Sequence, residues 1–141
     1  MVKFRIEKDS LGNIKVPSDK LWGAQTQRSV QNFKIGVGKF HFQEDFIKAL
    51  AFQKKAAALT NAQLKIMSNK HALMIGKVCD EIIYGKLNDH FPLVIWQTGS
   101  GTQINMNFNE VIANKSNLLL GSKLPSNKPL HPNDDINKSQ S

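Results

Sequence analysis

A glycine-spaced turn that runs directly into a helical pattern constrains this chain more than any other feature of its sequence. Residues 98–102 read TGSGT, and apolar side chains recur at helical spacing from about 103 to 120. The first amides of a helix have no partner within the helix, and the helix dipole adds positive potential there. We therefore predict a site for a carboxylate or a small phosphate at Ser100, Gly101 and Thr102. A nucleoside triphosphate is excluded, because the lysine that a phosphate-binding loop requires is missing.

The predicted helix carries asparagine at positions 105, 107, 109 and 114, although asparagine forms helices poorly. Thr102, Asn105 and Asn109 are three and four residues apart, so they fall on one face of that helix. A polar face beside the glycine turn favours a solvent-filled cleft that holds a ligand. Two other interpretations stay open, which are simple solvation and hydrogen bonding to a neighbouring helix.

Shorter patterns predict a small β-hairpin and further helices. Alternating residues at 4–7 and 14–16 indicate two strands, joined by a turn longer than the minimal one. A short helix is expected over 24–32, and Ser68 is the expected N-cap of another that runs to Ile83, before Gly85. The chain is thus predicted to be mainly α with a small N-terminal β-hairpin.

The longest of these helices is predicted from an N-cap at Asp45 to about residue 64. Spacing places an apolar set near one face, which we expect to be buried: Phe46, Ala49, Leu50, Ala57 and Leu64. In the loop over 87–96, residues 94–96 are expected to be buried as well.

Composition narrows the class of protein. Hydrophobic residues make up 40% of the 141 residues, an ordinary fraction for one globular domain. The apolar runs are too short to span a bilayer, and the N-terminus lacks the pattern of a secretory or transit peptide. We therefore expect a soluble, cytoplasmic protein with no membrane partner.

The net charge of +8 comes from scattered lysines, without the basic runs and interleaved aromatic residues typical of nucleic-acid binding. We expect no nucleic-acid partner and a solvated basic surface that suits anionic substrates. The single cysteine, Cys79, excludes an internal disulfide, and its helical surroundings predict an inert thiol in the core.

A second polar cluster reads HPNDD at 131–135. Histidine with two carboxylates can bind a metal, but the spacing is tight and no other concentrated set of ligands accompanies it, so we predict no metal. The cluster suits a second anion-binding corner with Lys128, in which Asn133 donates its amide. Alternatively, Asn133 and Asp134 only cap a helix. Since the sequence stops soon after this apparent helix start, we expect a piece of a longer protein.

Three long motifs resemble class II fumarases of the aspartase/fumarase superfamily. They are residues 21–29 (LWGAQTQRS), 96–103 (WQTGSGTQ) with its continuation to 114, and 131–141 (HPNDDINKSQS). Their order and nearly their spacing match across the whole chain. The resemblance implies a mainly α, multihelical N-terminal domain over 1–141, without the family's central helical bundle and C-terminal domain.

The resemblance further implies hydration of fumarate to L-malate in the tricarboxylic acid cycle, by a homotetramer that needs no cofactor. The residues that would match the family's dicarboxylate-binding positions are Ser100, Gly101, Thr102, Lys128, His131, Pro132, Asn133, Asp134 and Ser141. Ser100 and Thr102 would contact a substrate carboxylate. Lys128 stands where the family often has arginine, which weakens a bidentate contact to a point charge. The catalytic histidine and serine would lie beyond Ser141, so the chain alone is expected to be inactive.

Two alternatives remain at this stage. An aspartate ammonia-lyase domain shares the fold, but Ser100, Gln103 and His131 agree with the fumarase pattern. A non-catalytic fragment that binds anions or assists assembly is the other alternative, since no hydroxyl in the sequence stands beside a recognisable His/Asp arrangement.

Overall fold

The computed structural model describes residues 2–140. Strands β1 (Phe4–Asp9) and β2 (Gly12–Pro17) form an antiparallel hairpin in which Asp9 pairs with Gly12. The turn therefore holds only Ser10 and Leu11, and the prediction of a longer turn was wrong. The turn is tight because the Leu11 N–H donates to Asp9 Oδ1 at 2.9 Å and Gly12 takes a φ of 106°, which glycine allows.

Four α-helices follow the hairpin, with a short 3₁₀ turn at Asn88–His90 and one π-type turn at Pro132–Ile136. The helices are α1 (Ala24–Asn32), α2 (Glu44–Gln63), α3 (Asn69–Ile83) and α4 (Thr102–Leu119). The predicted bounds of α1, α3 and α4 agree with these to within about one residue. Ser68 caps α3 as predicted, since its Oγ accepts the His71 N–H at 3.2 Å.

Helix α2 departs from its prediction in two ways. Its N-cap is Gln43, so Asp45 lies in the first turn and does not cap the helix. Its buried face consists of Ile47, Ala51, Lys54, Ala58 and Asn61, whereas Phe46 and Leu64 are exposed. The expected face was wrong because apolar residues surround α2 on all sides, so their spacing selects no single stripe.

The core forms around α4, where Phe108, Val111 and Ile112 are fully buried. It includes Ile75, Val78 and Ile82 of α3 and Ile14 and Val16 of β2. Cys79 also lies in this core, as predicted, and burial raises the pKa of its thiol to about 12. The thiol therefore stays protonated, which is the unreactive form.

The loop before α4 is less buried than predicted. Val94 is buried, but Ile95 and Trp96 are 40% and 55% exposed. This stretch lies along the surface against residues 40–41: the Ile95 N–H donates to the Phe40 carbonyl at 3.1 Å, and the Trp96 ring meets the Phe40 ring edge-on. The prediction of burial failed because residues 95–96 contact other surface residues, and apolar character alone does not reveal the position of such contacts.

Over residues 2–140, the helices lack the combination of length and apolarity that crossing a bilayer requires.

Candidate functional site

The start of α4 is open to solvent. Gly101 is its N-cap and takes a left-handed conformation with φ 74°, and having no side chain it makes no capping hydrogen bond of its own. Ser100 and Thr102 are exposed, and their hydroxyl oxygens lie 3.0 Å apart. The Ile104 N–H is used internally, because it donates to Gln97 Oε1 at 3.0 Å. The Gly101 N–H donates to the Thr98 carbonyl and the Thr102 N–H to Ser100 Oγ, both at 3.4 Å. The exposed hydroxyls of Ser100 and Thr102 can therefore meet an anion from solvent.

The second predicted cluster, residues 131–135, is called the His131 corner here because the His131 side chain caps its turn. His131 Nδ1 accepts the N–H groups of Asn133 and Asp134, both at 3.2 Å, and Asp135 Oδ2 accepts the His131 N–H at 2.8 Å. The capping residue is therefore His131, and the interpretation that Asn133 and Asp134 cap this turn was wrong. Since Nδ1 accepts, the neutral ring carries its proton on Nε2, where it can donate to a ligand.

A cleft of about 450 Å³ brings these two regions together. Thr102 and Met106 of α4 line one side, and His131, Pro132 and Asn133 line another. The remaining lining comes from residues 7–10 of the hairpin, 23–25 at the start of α1, Glu110 and Asn114 of α4, and Asn127. Two clusters that are about 30 residues apart in sequence thus share one cavity, which is of a size that holds small ligands.

The other predicted site residues lie at the margin or away from this cleft. Ser100 and Gly101 precede Thr102 on the exposed turn. Lys128 and Asp134 are exposed and do not belong to the cleft lining. The Lys128 carbonyl accepts from the hydroxyls of Ser122 and Ser126. Ser141 lies outside the described residues.

The asparagine face of α4 does not form one wet surface. Thr102 lines the cleft, but the amides of Asn105 and Asn109 donate to Asn137 Oδ1 at 3.1 and 3.2 Å. Asn114 donates to the Leu21 carbonyl at 2.7 Å. The expectation of a wet cleft along this face was wrong for Asn105 and Asn109. The density of asparagine on α4 is explained by amides that tie neighbouring segments to the helix.

Glu110 is a buried residue that the sequence reasoning missed. Its carboxylate accepts the N–H groups of Gly23, Gln25 and Thr26 at 2.9, 2.8 and 3.0 Å, and the Thr26 hydroxyl at 2.5 Å. It thereby binds the start of α1 from α4. Burial raises the pKa of the Glu110 carboxyl, while these hydrogen bonds oppose the rise. The available signal was that Glu110 is the one acidic residue in the predicted helix over 103–120.

Lys54 is a second buried charge that was missed. It is 2% exposed, and its Nζ donates to the amide oxygens of Asn105, Gln140 and Asn137 at 2.6, 2.8 and 3.2 Å. Burial lowers the pKa of this amine to about 8. Within residues 2–140, no three His, Cys, Asp or Glu side chains are grouped so as to hold a metal ion.

With this fold and cleft established, the chain can be placed in a class: it belongs to the lyase family, whose model matches residues 12–141. Within that class it is similar to fumarate hydratases of class II. It is 54% identical to the class II fumarate hydratase of Haemophilus ducreyi and 56% identical to that of Bacillus cereus, each over 140 residues. These alignments cover 99% of the chain, which spans about 30% of the length of these curated relatives.

A solved class II fumarase from Schistosoma mansoni superposes with a TM-score of 0.89 at 44% identity, over 96% of this chain and 28% of that one. The predicted fold class, a mainly α N-terminal domain of the aspartase/fumarase fold with a small hairpin, is confirmed.

Proposed function

We propose that this chain supplies part of the substrate site of a class II fumarate hydratase, which hydrates fumarate reversibly to L-malate. One observation carries the proposal: the start of α4 and the His131 corner share one cleft. Over half of the aligned residues are identical to those of relatives that carry this name. The finer parts of the proposal are a role in the tricarboxylic acid cycle, a cytoplasmic location, and a homotetramer that needs no cofactor.

The proposed division of labour follows from the chemistry of a dicarboxylate. Ser100, Gly101 and Thr102 bind one carboxylate through hydroxyls and amides. His131, Pro132 and Asn133 form a second anion-contacting edge, with Asp134 and Lys128 outside its lining. Ser141 is proposed as a substrate residue from the motif resemblance alone. Removal of the C3 proton of malate places extra charge on the adjacent carboxylate, and fixed donors stabilise that charge. In this proposal, the proton-transfer groups come from outside residues 1–141, which form a single N-terminal domain.

A chimera tests the activity. The chain replaces the matching segment of the Haemophilus ducreyi relative, and hydration of fumarate is followed by the loss of its ultraviolet absorbance. We expect activity in the chimera and a loss of about a hundredfold in kcat/KM for Thr102→Val. Ser18→Ala, at an exposed hydroxyl after β2, is the control and should keep full activity. Full activity of the Thr102→Val chimera would contradict the assignment of Thr102.

Two further measurements separate the alternatives. Incubation of the chimera with fumarate and added ammonia tests the aspartate ammonia-lyase interpretation. Formation of aspartate would favour that interpretation. The purified 141-residue chain is tested with L-malate, where we expect no fumarate to form. Turnover by that chain alone would overturn the proposal that its catalytic groups lie elsewhere.

A further inference from the structure

The ammonium group of Lys54 is buried among neutral oxygens at the junction of α2, α4 and the segment 137–140. Its three hydrogen-bond acceptors are the amide side chains of Asn105, Asn137 and Gln140. Among residues 2–140, the titratable group that faces it is Cys79 of α3, and burial keeps that thiol protonated. A buried cation whose partners in the described part of the chain are all neutral is costly, so its retention calls for a specific role.

Asn137 joins Lys54 to the end of the described chain. Its Oδ1 accepts from Lys54, Asn105 and Asn109, and its Nδ2 donates to the Gln140 carbonyl at 3.3 Å. The Gln140 N–H donates back to the Asn137 carbonyl at 3.0 Å. The segment 137–140 is therefore held as a closed turn on the Lys54 ammonium.

A second contact holds the same segment against α2. Asn61 lies two turns after Lys54 on the buried face of α2, and its Nδ2 donates to the Lys138 carbonyl at 3.0 Å. Asn137 is also the C-cap of the turn Pro132–Ile136, and its N–H donates to the Pro132 carbonyl at 3.1 Å. Groups buried beneath the segment 137–140 thus hold the residue that ends the turn of the His131 corner.

We propose that Lys54 is a positioning residue of the dicarboxylate site: two of its hydrogen bonds hold the 137–140 turn and the third ties that turn to Asn105 of α4, which together fix the His131 corner that precedes the turn. This inference takes only the identity of the ligand, a dicarboxylate, from the proposed function. The long lysine stem reaches from the core face of α2 to the turn. A methionine in its place fills the same space but donates to none of the three oxygens.

Amide hydrogen exchange on the ¹⁵N-labelled 141-residue chain tests the positioning. In Lys54→Met we expect the exchange of the Asn137 and Lys138 backbone amides to rise by about tenfold or more, while α3 amides stay protected. Lys55→Met is the matched control, since the neighbouring Lys55 pairs with Asp80 at 2.7 Å and should leave 137–140 unchanged. Equal protection of Asn137 and Lys138 in wild type and Lys54→Met would overturn the proposal.

A measurement on the wild-type chain keeps the proposal testable if Lys54→Met does not fold. The ¹⁵N resonance of the Lys54 amine is titrated, and the amide resonances of Asn137 and Gln140 are followed over the same pH range. We expect them to shift with the same midpoint as the amine, because the neutral amine has only two N–H donors for its three acceptors. Amide resonances that stay fixed while the amine titrates would contradict the positioning role.

Fumarate added to the same samples separates this inference from the proposed function. If fumarate shifts resonances near Thr102 in wild type and binds about tenfold more weakly to Lys54→Met, both are supported. Equal binding by both proteins contradicts the role of Lys54 and leaves the proposed function intact. If fumarate shifts nothing while the exchange difference persists, the ligand assignment fails for this chain and the turn-positioning role stands.

Discussion

Gly101 decides where α4 begins. Its φ of 74° lies in the left-handed region, which glycine enters freely and other residues enter at a cost. The chain can therefore turn from the exposed loop into the helix at a residue that has no side chain, while Gln97 Oε1 accepts the Ile104 N–H. The sequence predicted this turn because glycine spacing and the following apolar period carry a local signal.

Replacing Gly101 by alanine should lower the free energy of unfolding by about 1 kcal/mol, because alanine is strained at this φ. Gly99→Ala is the control: the φ of Gly99 lies outside the left-handed region, and a Cβ there would meet no atom within 4 Å. Its loss should stay below about 0.5 kcal/mol. Urea unfolding of both variants checks this, and equal losses would contradict the role given to the backbone of Gly101.

Lys54 gives the chain a measurable dependence of stability on pH. The pKa of its amine is about 8 in the folded chain and 10.5 in the unfolded chain. Between these values the unfolded state binds more protons, so the free energy of unfolding rises as the pH rises. Relative to Lys54→Met, wild type should gain about 2 kcal/mol across this interval. Urea unfolding at several pH values measures the difference, and parallel curves for the two proteins would refute it.

Lys54 and Glu110 show what local sequence does not reveal. Each is a charged residue whose partners lie far along the chain, at 105–140 for Lys54 and at 23–26 for Glu110. Periodicity assigns charged residues to solvent, and only the tertiary contacts reverse that assignment. Thr102 and the His131 corner were predictable, because a helix start and a motif resemblance mark them locally.

At the scale of elements, the sequence predicts the ends of helices better than it predicts which face of a helix is buried. Ser68, Gly85 and Gly121 mark helix ends by chemistry that acts within a few residues. The buried face of α2 depends on which neighbours pack against it, and those are α3 and the segment 137–140. A helix with apolar residues on all sides therefore needs its tertiary partners before its face is defined.

Two alanine substitutions on α2 test that face. Ile47 is 6% exposed, so Ile47→Ala should reduce the free energy of unfolding by about 2 to 4 kcal/mol. Phe52 is 58% exposed, and Phe52→Ala should cost less than about 1 kcal/mol although it removes more atoms. Chemical denaturation measures both, and the reverse order would show that α2 is rotated from the face described.

At the scale of the whole molecule, α4 is the element to which distant segments are tied. Glu110 binds the start of α1, Asn114 binds the Leu21 carbonyl, and Asn117 both donates to and accepts from the Leu130 backbone. These bonds join the N-terminal third and the segment before His131 to one helix. The cleft exists because α4 holds both of its walls.

Glu110→Gln should therefore destabilise the entire chain, by about 3 kcal/mol. The glutamine amide group presents N–H donors to a site built from donors, and buried groups lose their partners. Glu44→Gln is the control, since Glu44 is 57% exposed in a surface pair with Lys48 and should change stability by less than about 0.5 kcal/mol. Thermal and urea unfolding provide the comparison, and similar values for both variants would argue against Glu110 as an internal tie.

One helix start in this chain already holds a carboxylate of its own. Glu110 receives three backbone N–H groups and one hydroxyl at the beginning of α1. The beginning of α4 presents the hydroxyls of Ser100 and Thr102 outward, while its Ile104 N–H already donates to Gln97 Oε1. The start of α1 thus shows how a helix start in this molecule binds a carboxylate, with the difference that this carboxylate belongs to the chain itself. A simple monocarboxylate such as acetate should imitate it at α4, so competition between acetate and fumarate would report on that half of the ligand alone.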